Sequence, residues 1–153
     1  MNMSKQDEKY MALASHYATL SEMRSRHGSV IVLHGSIIAY GYNHVRNCFR
    51  DKLGHPSSCH AEMSALRDAI RKLKLDPIKD RATFTRMRLY VARRSAQDGY
   101  VESKPCFHCY SKLREMGVKR IMYSGSDCFC RMDTRTPQSC LPSSGYSGCL
   151  EMK

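Results

Sequence analysis

The stretch that decides the fold runs from Pro105 to Tyr123 and reads PCFHCYSKLREMGVKRIMY. Proline is favoured at the first position of a helix, and Cys109, Leu113 and Met116 then follow roughly along one helical side. Gly117 is typical of a helix end, and the apolar residues after it indicate a strand that closes at Tyr123. The stretch therefore predicts a helix that leads at once into a strand.

Similar signals extend this pattern toward the N-terminus, where apolar periodicity and turn residues separate further elements. The predicted elements are a helix at 5–23, a hairpin of strands at 30–33 and 37–42, a helix that begins near Ser58 or Cys59 and stops at Asp76-Pro77, and a strand at 86–92. Strand–helix–strand units of this length imply right-handed crossovers and parallel pairing. We therefore predict a three-layer α/β/α sandwich, with a mixed sheet of four to five strands that begins with an antiparallel hairpin.

The length of 153 residues suits one domain with a single core. Residues 125–153 differ from the rest, since they are rich in Gly, Ser, Pro and Cys and have no sustained periodicity. We predict a folded domain at 1–124 and a C-terminal tail at 125–153 with little regular structure.

The chain carries 25 Lys and Arg against 14 Asp and Glu, which gives a formal net charge of +11. Such an excess favours anionic partners, namely phosphate, nucleotide or nucleic acid, although solubility alone is the alternative explanation. The excess is concentrated, because residues 67–94 contain ten Lys or Arg and only three Asp.

The composition argues against membrane and secreted classes of protein. No apolar run approaches the roughly 18 residues of a membrane span, and the polar stretch Met1–Tyr10 lacks the apolar core of a secretory signal. We therefore expect no membrane partner and a cytoplasmic or nuclear location. In such a reducing compartment the eight cysteines are expected to be thiols or metal ligands rather than disulfides.

Cys106 and Cys109 form a C-x-x-C pair in the first turn of the predicted helix, so both sulfurs point to one side. The partial positive charge of a helix N-terminus favours their thiolate forms, which are the forms that bind zinc. Two cysteines leave two of the four positions around zinc open, and one further protein ligand with a water molecule would make a catalytic site. A redox-active pair and a structural zinc site are the alternatives for a C-x-x-C motif alone.

His60 is the predicted third ligand, because it too lies in the first turn of a helix that follows a strand and loop. Helices in neighbouring crossovers start at the same edge of a sheet, which brings His60 toward the cysteine pair across the carboxyl ends of the strands. Glu62 lies two residues further along and can reach a zinc-bound water without binding the metal. Zinc lowers the pKa of that water toward neutrality, and the carboxylate can take up and return its proton.

The combined pattern H-x-E…P-C-x-x-C, here His60-Ala61-Glu62 with Pro105-Cys106-Phe107-His108-Cys109, is the signature of the zinc-dependent nucleobase deaminases. Over about residues 25–124 the chain resembles the cytidine and deoxycytidylate deaminase superfamily. The other matching segments are Ser29-Val30-Ile31-Val32, Gly41-Tyr42-Asn43, Leu89-Tyr90-Val91 and Gly117-Val118-Lys119-Arg120-Ile121. The resemblance implies a five-stranded sheet flanked by helices, one catalytic zinc ion per chain, a homo-oligomer, and contact of Asn43 with the sugar of the substrate.

The identity of the first ligand separates two branches of this superfamily. Deaminases of free cytidine typically use cysteine there, whereas deoxycytidylate, tRNA adenosine and polynucleotide cytidine deaminases use histidine. His60 therefore indicates the second branch, and Cys59 does not restore the first because it lies one residue too early relative to Glu62. The chain departs from the pattern at residues 93–104, which separate the strand from Pro105.

The loop that leads into the His60 helix is expected to border the site and to bind the phosphate of a substrate. The candidate phosphate-binding residues are Arg46, Arg50 and Lys52. The basic cluster at 67–94 begins on the far part of that helix, and about 14 residues of helix place it roughly 20 Å from the metal. We expect this cluster to bind a polymer, to lie in a contact between subunits, or to provide favourable charges at the helix C-terminus, rather than to bind a single nucleotide.

These residues predict hydrolytic deamination of a nucleobase, with cytosine in a nucleotide as the first candidate, by attack of a zinc-bound hydroxide with Glu62 as proton shuttle. One alternative is a deaminase of adenosine or cytidine in tRNA or single-stranded nucleic acid, which would use the wider basic surface. The other is a catalytically silent, zinc-stabilised binding module. Glu62 argues against the silent module, because a structural zinc site needs no carboxylate beside an open position.

The remaining cysteines form two further groups whose spacings fit no standard zinc finger, and the sequence leaves open whether either group binds a second metal ion. The groups are Cys128, Cys130, Cys140 and Cys149 in the tail, and Cys48, His55 and Cys59 near the loop before the His60 helix.

Overall fold

The computed structural model describes residues 4–44, 60–97, 99–126 and 128–135. The elements within these ranges are, in order, α1 (Lys5–Ala18), β1 (Arg26–Leu33), β2 (Ser36–Tyr42), α2 (Ala61–Leu73), α3 (Arg81–Arg86), β3 (Arg88–Arg94), β4 (Tyr100–Val101), α4 (Phe107–Met116), β5 (Arg120–Ser124) and β6 (Phe129–Asp133). Among the helices of the described ranges, none is both long and apolar enough to cross a bilayer.

The strands form one mixed sheet in the order β2-β1-β3-β5-β6, with β4 paired to β3. Only β3 and β5 pair in parallel in the described part of the chain, as the crossover through α4 requires, and the other pairs are antiparallel. The expected parallel neighbours on either side of α2 are not adjacent, because β1 lies between β2 and β3. The α/β class and the initial hairpin are confirmed, and the described ranges contribute six strands to the sheet, where four to five were predicted.

Successive side chains of each strand point to opposite faces of the sheet, so both faces present apolar side chains. A layer of helices covers each face. On one face, Val30 and Tyr90 pack with Met11 and Ala14 of α1. On the other face, Ile31 and Leu89 belong to the same apolar cluster as Leu66 and Leu113 of α2 and α4. The three-layer α/β/α sandwich is therefore confirmed.

Helix α1 is shorter than the predicted 5–23. It begins with Ser4, whose hydroxyl accepts a hydrogen bond from the backbone N–H of Asp7 at 3.0 Å. It ends at Ala18, and the side chain of Leu20 is 47% exposed, so the apolar periodicity past that point does not bury a face. Helix α2 likewise stops at Leu73, before the proline that was expected to end it.

Three elements were not predicted. The short helix α3 places Phe84 in the core, and β4 folds the inserted segment back onto the end of β3. Strand β6 lies inside the segment 125–153 that was expected to have little regular structure, and that expectation is wrong for residues 129–133. Met132 pairs with Ile121 of β5 and fills the core beneath α4. The boundary at residue 124 stays a prediction, and residues 136–153 lie outside the described ranges.

The start of α2 is fixed against the sheet by close contact with two strands. A Cβ atom on Gly41 of β2 would lie 2.4 Å from the backbone nitrogen of Ala65, so only glycine allows this approach. Ser29 of β1 donates a hydrogen bond from its buried hydroxyl to the carbonyl oxygen of Ala61 at 2.7 Å. The first turn of α2, which follows His60, is thereby held at one edge of the sheet.

We expect Gly41→Ala to destabilise the fold and to weaken metal binding at the same time, because α2 must move away from β2 to admit the methyl group. Overpacking of this kind typically costs about 1–3 kcal/mol. The measurements are the unfolding midpoint and the metal content of the purified protein. Gly99→Ala is the matched control, since its Cβ would meet only the Ser95 hydroxyl, at 3.7 Å. An unchanged midpoint for Gly41→Ala would contradict the close approach.

Candidate metal centre and catalytic site

The candidate site lies at the sheet edge where β2 and β3 end. Both strands run antiparallel to β1, so they run in the same direction and their carboxyl ends share one edge. The N-terminal ends of α2 and α4 lie at this edge, with His60 as the N-cap of α2 and Cys106 as the N-cap of α4. This convergence brings together residues that are 46 positions apart in the sequence.

His60, Cys106 and Cys109 form a compact cluster of metal-binding atoms, all within 4.8 Å of one another. The Nδ1 atom of His60 lies 3.2 Å from the sulfur of Cys109 and 3.6 Å from the sulfur of Cys106. Nitrogen and sulfur ligands of a tetrahedral zinc ion, at about 2.0–2.3 Å from the metal, lie roughly 3.5–3.8 Å from one another. The donor set and its spacing therefore fit one zinc ion with three protein ligands.

The electrostatics of the cluster favour the thiolate form of Cys106. A hydrogen bond with Cys109, together with the neighbouring His60, lowers the pKa of Cys106 to about 3 in spite of partial burial. The same contact with Cys106 raises the pKa of His60. Cys106 is therefore a thiolate at neutral pH, and thiolate is the form that binds zinc.

Glu62 lies beside the cluster in the first turn of α2 and is only 4% exposed. Burial raises the pKa of Glu62 to about 7, while the neighbouring His60 acts in the opposite direction. The three-ligand cluster does not include this carboxyl group. The site thus combines three metal-binding atoms with a buried acid that lies outside the ligand set and is hydrogen-bonded to Cys109.

Asn43 is buried at the end of the β2 region, and its amide contacts the chain itself. Its Oδ1 atom accepts a hydrogen bond from the backbone N–H of His27 at 2.9 Å, and its Nδ2 atom donates to the carbonyl oxygen of Ser25 at 2.6 Å. Asn43 therefore ties the start of β1 to the edge that carries the cluster. Its contact with a sugar stays a prediction.

Several predicted site residues fall outside the described ranges, so their assignments stay predictions. They are Arg46, Arg50 and Lys52 for phosphate, and Cys48, His55, Cys59, Cys140 and Cys149 for a second metal. The sulfurs of Cys128 and Cys130 lie 3.9 Å apart. In the described part of the chain, no third ligand atom of His, Cys, Asp or Glu joins them to form a cluster.

The structure adds His27 and Arg93, which the sequence did not single out. His27 of β1 pairs directly with Arg93 of β3. Strand alternation places both on the face covered by α2 and α4, in line with Ser29 and Val91. Burial lowers the pKa of His27 to about 4, with smaller effects from Arg93, His60 and Cys106, so its imidazole is neutral at pH 7.

Arg93 corrects one expectation about the basic cluster at 67–94. The whole cluster was expected to lie far from the metal, and this holds for Arg71 and Lys72 in the last turn of α2. Arg93, by contrast, lies at the end of β3, at the edge that carries the metal ligands. Its period-two spacing from Leu89 and Val91 was the sequence signal that it shares their face.

Comparison with known proteins agrees with this geometry. Residues 4–125 match the model of the cytidine and deoxycytidylate deaminase zinc-binding region. The deoxycytidylate deaminase of Saccharomyces cerevisiae is 31% identical over 136 residues, which cover 78% of this chain and 38% of that protein. The chain thus spans well under half the length of that relative.

Solved structures show the same fold. The deoxycytidylate (dCMP) deaminase of cyanophage S-TIM5, in its apo form, superposes with a TM-score of 0.58 at 24% identity, over 80% of this chain and 86% of that one. A cytidine deaminase from Burkholderia pseudomallei superposes with a TM-score of 0.60 at 13% identity, over 86% and 94% of the two chains. With the family match over most of its length, the chain belongs to the cytidine and deoxycytidylate deaminase family and carries its zinc-binding region.

Proposed function

We propose that this chain is a zinc-dependent hydrolytic deaminase that converts cytosine to uracil in a nucleotide, as a deoxycytidylate deaminase does. The observation that carries the proposal is the buried acid Glu62 beside a three-ligand metal cluster. A structural zinc site is closed by four protein ligands, whereas a catalytic one keeps a position for water or substrate. The similarity to the yeast deoxycytidylate deaminase supports the choice of substrate.

His60, Cys106 and Cys109 would hold the zinc ion. When bound, zinc acts as a Lewis acid that lowers the pKa of a water molecule and so makes it a nucleophile at neutral pH. Hydrolysis replaces the exocyclic amine at C4 of cytosine by oxygen and releases ammonia. The protein must therefore move protons from water to the ring nitrogen and to the departing amine.

Glu62 is the group that would move these protons. Its carboxyl group is buried at the start of α2, close enough to the cluster for the charge of His60 to act on it. Its burial keeps bulk water away, so the carboxyl group can take a proton from the attacking water and pass it to the ring nitrogen or the departing amine. Glu62 lies outside the three-ligand cluster, and its hydrogen bond with Cys109 keeps the carboxyl group beside it.

Recognition of the rest of the nucleotide would fall to residues around the same edge. Asn43 would contact the sugar, and Arg46, Arg50 and Lys52 would bind the phosphate. We add Arg93 to the phosphate-binding group, because it lies at the end of β3 on the metal-binding edge, where its guanidinium group donates a hydrogen bond to the carbonyl oxygen of Glu102 at 3.5 Å. The neutral imidazole of His27 beside it can exchange hydrogen bonds with a polar substrate without adding charge.

Deamination of tRNA or single-stranded nucleic acid, on adenine or cytosine, is the second candidate. The net charge of +11 favours it, because a polyanion gains from basic groups beyond those that one nucleotide can reach. For either substrate we propose a cytoplasmic location, where cysteine thiols stay reduced. The family resemblance also supports assembly into a homo-oligomer.

Cys106→Ser is expected to lose the metal and a part of the stability together, because metal binding is coupled to folding. The purified wild-type protein should contain about one zinc ion per chain, and the variant should contain little. Cys128→Ser is the matched control, since Cys128 is exposed and lies outside the three-ligand cluster. Elemental analysis of both variants provides the measurement, and full zinc content in Cys106→Ser would refute the ligand assignment.

Glu62→Gln is expected to keep zinc and fold but to lower kcat for deamination by roughly 10²–10⁴-fold, since the amide cannot accept and return a proton. The substitution keeps the shape of a fully packed side chain and removes a buried acid, so the unfolding midpoint should not fall. Release of ammonia from deoxycytidylate is the activity measurement. A variant that retains most of its turnover at full zinc content would rule out the proton-transfer role.

Arg93→Ala is expected to raise KM for deoxycytidylate about tenfold or more and to leave KM for deoxycytidine nearly unchanged. Loss of a charge-assisted bond to phosphate typically costs about 1.5–3 kcal/mol. Arg71→Ala removes the same charge from the far end of α2 and serves as control. Equal effects on the nucleotide and the nucleoside would show that Arg93 does not contact the phosphate.

A further inference from the structure

The connection between β3 and α4 carries Cys106 into the metal centre, and its last residues before Cys106 have no regular structure. Tyr100 and Val101 of this connection form β4, and residues 102–105 belong to no helix or strand. A metal ligand at the end of such a connection must be held close to its binding position, because small displacements of a ligand weaken the site. The contacts of the residues just before Cys106 therefore determine how well it is placed for a metal ion.

Ser103 lies shortly before Cys106 and is only 2% exposed. Its backbone N–H donates a hydrogen bond to the carbonyl oxygen of Ser124 at 2.8 Å. Its hydroxyl accepts a hydrogen bond from the backbone N–H of Ser124 at 2.8 Å and donates to the carbonyl oxygen of Val91 at 3.0 Å. The parallel pairing of β3 and β5 ends at Val91 and Tyr123. Ser103 thus bonds to both strands just where their own pairing stops.

Ser124 is the last residue of β5, is fully buried, and binds the same region from the other side. Its hydroxyl accepts a hydrogen bond from the backbone N–H of Arg93 at 3.2 Å and donates to the carbonyl oxygen of Val101 at 2.7 Å. The hydroxyl oxygens of Ser103 and Ser124 lie 2.8 Å apart. These two residues, which we call the serine pair, therefore join β3, β4 and β5 at the sheet edge that carries the metal ligands.

The path from the serine pair to the metal ligands is short and stiff. Only Lys104 and Pro105 lie between Ser103 and Cys106. Pro105 is buried, and its ring fixes the backbone angle φ. Cys106 is the N-cap of α4, and the first turn of that helix carries Cys109. A displacement of Ser103 would therefore be passed on to both cysteines of the three-ligand cluster.

We infer that the serine pair positions Cys106 for zinc, by extending the register of β3 and β5 into the start of α4. The Ser29 hydroxyl supports the start of α2 in the same way, through Ala61. The serine pair acts through the backbone that leads to Cys106, so Ser103 and Ser124 are positioning residues rather than catalytic ones. The inference rests on the proposed function, because it takes Cys106 as a zinc ligand. Contacts that orient metal ligands typically contribute about 10–100-fold to metal affinity.

The test compares zinc release from the zinc-loaded full chain in Ser103→Ala, Ser124→Ala and the matched control Thr134→Val. Thr134 is buried, and its hydroxyl donates a hydrogen bond to the carbonyl oxygen of Val118 at 2.6 Å, beside the start of β5 at the opposite edge of the sheet. Each change removes one buried hydroxyl and nearly keeps the shape of the side chain, so each is expected to lower the unfolding midpoint. The release rate is the rate at which an excess of a coloured chelator takes up the zinc.

Both serine variants are expected to release zinc about tenfold or more faster than the wild type. Thr134→Val should stay within about twofold of the wild type, although its midpoint also falls. The double variant of the serine pair should release zinc little faster than the faster single variant, because the two hydroxyls belong to one hydrogen-bond network. If Ser124→Ala does not fold, Ser103→Ala decides the question, since it leaves the bonds of Ser124 to Arg93 and Val101 in place.

A purely structural role predicts that zinc release follows the unfolding midpoint in every variant, Thr134→Val included. Equal acceleration in the three single variants, or none in the serine variants, would therefore overturn the inference. Release of ammonia from deoxycytidylate by the same zinc-loaded wild type tests the proposed function separately. A wild type that holds zinc without deaminating would refute that function, and serine variants that hold zinc as well as Thr134→Val would refute only the positioning role.

Discussion

The N-terminal ends of α2 and α4 meet at one edge of the sheet, and the metal centre depends on that meeting. An N-cap residue normally uses a short polar side chain to satisfy the first free N–H groups of its helix. Here the N-caps are His60, which makes no such bond, and Cys106, whose sulfur accepts a hydrogen bond from the backbone N–H of Cys109 at 3.5 Å. Both residues belong to the three-ligand cluster, and neither is of a type that is favoured at an N-cap. The ends of α2 and α4 are therefore held by the sheet beneath them and by whatever cation joins the three ligands.

The helices are held against the sheet by close backbone packing, and small residues therefore occur where the helices contact the strands. Gly41 lets β2 approach the backbone of α2, and Gly28 does the same for β1 and α1, where a Cβ would lie 2.1 Å from the carbonyl oxygen of Ala14. Ser29 then fixes the first turn of α2 through Ala61. The position of His60 is thus set by backbone packing on the strands. A metal or catalytic site needs such rigid support, because its side chains must be held in precise positions.

The sequence predicted those parts of the fold and site whose signal is local. The C-x-x-C turn, the His-x-Glu turn and the hairpin each lie within a few residues, and crossover geometry was enough to bring the turns together. Strand β6 was not predicted, because residues 129–133 lie among Gly, Ser and Cys and have no strand pattern of their own. This segment is a strand because it pairs with β5. Arg93 was misplaced because the predicted strand ended at residue 92, whereas pairing with β1 and β4 continues β3 to Arg94.

The same tertiary contacts divide the basic cluster at 67–94 into parts with different surroundings. Arg71 and Lys72 both pair with Asp68, at 2.7 and 3.0 Å, so two cations at the end of α2 share a single carboxylate and a net positive charge remains there. The strand that follows carries arginines at both ends, and its ends lie on opposite edges of the sheet. Arg93 therefore adds positive charge at the edge that carries the three-ligand cluster, while Arg88 lies at the other edge, 3.7 Å from the carboxylate of Asp7. A run of like charge in the sequence becomes two separate electrostatic features, because a strand of seven residues carries its ends about 20 Å apart.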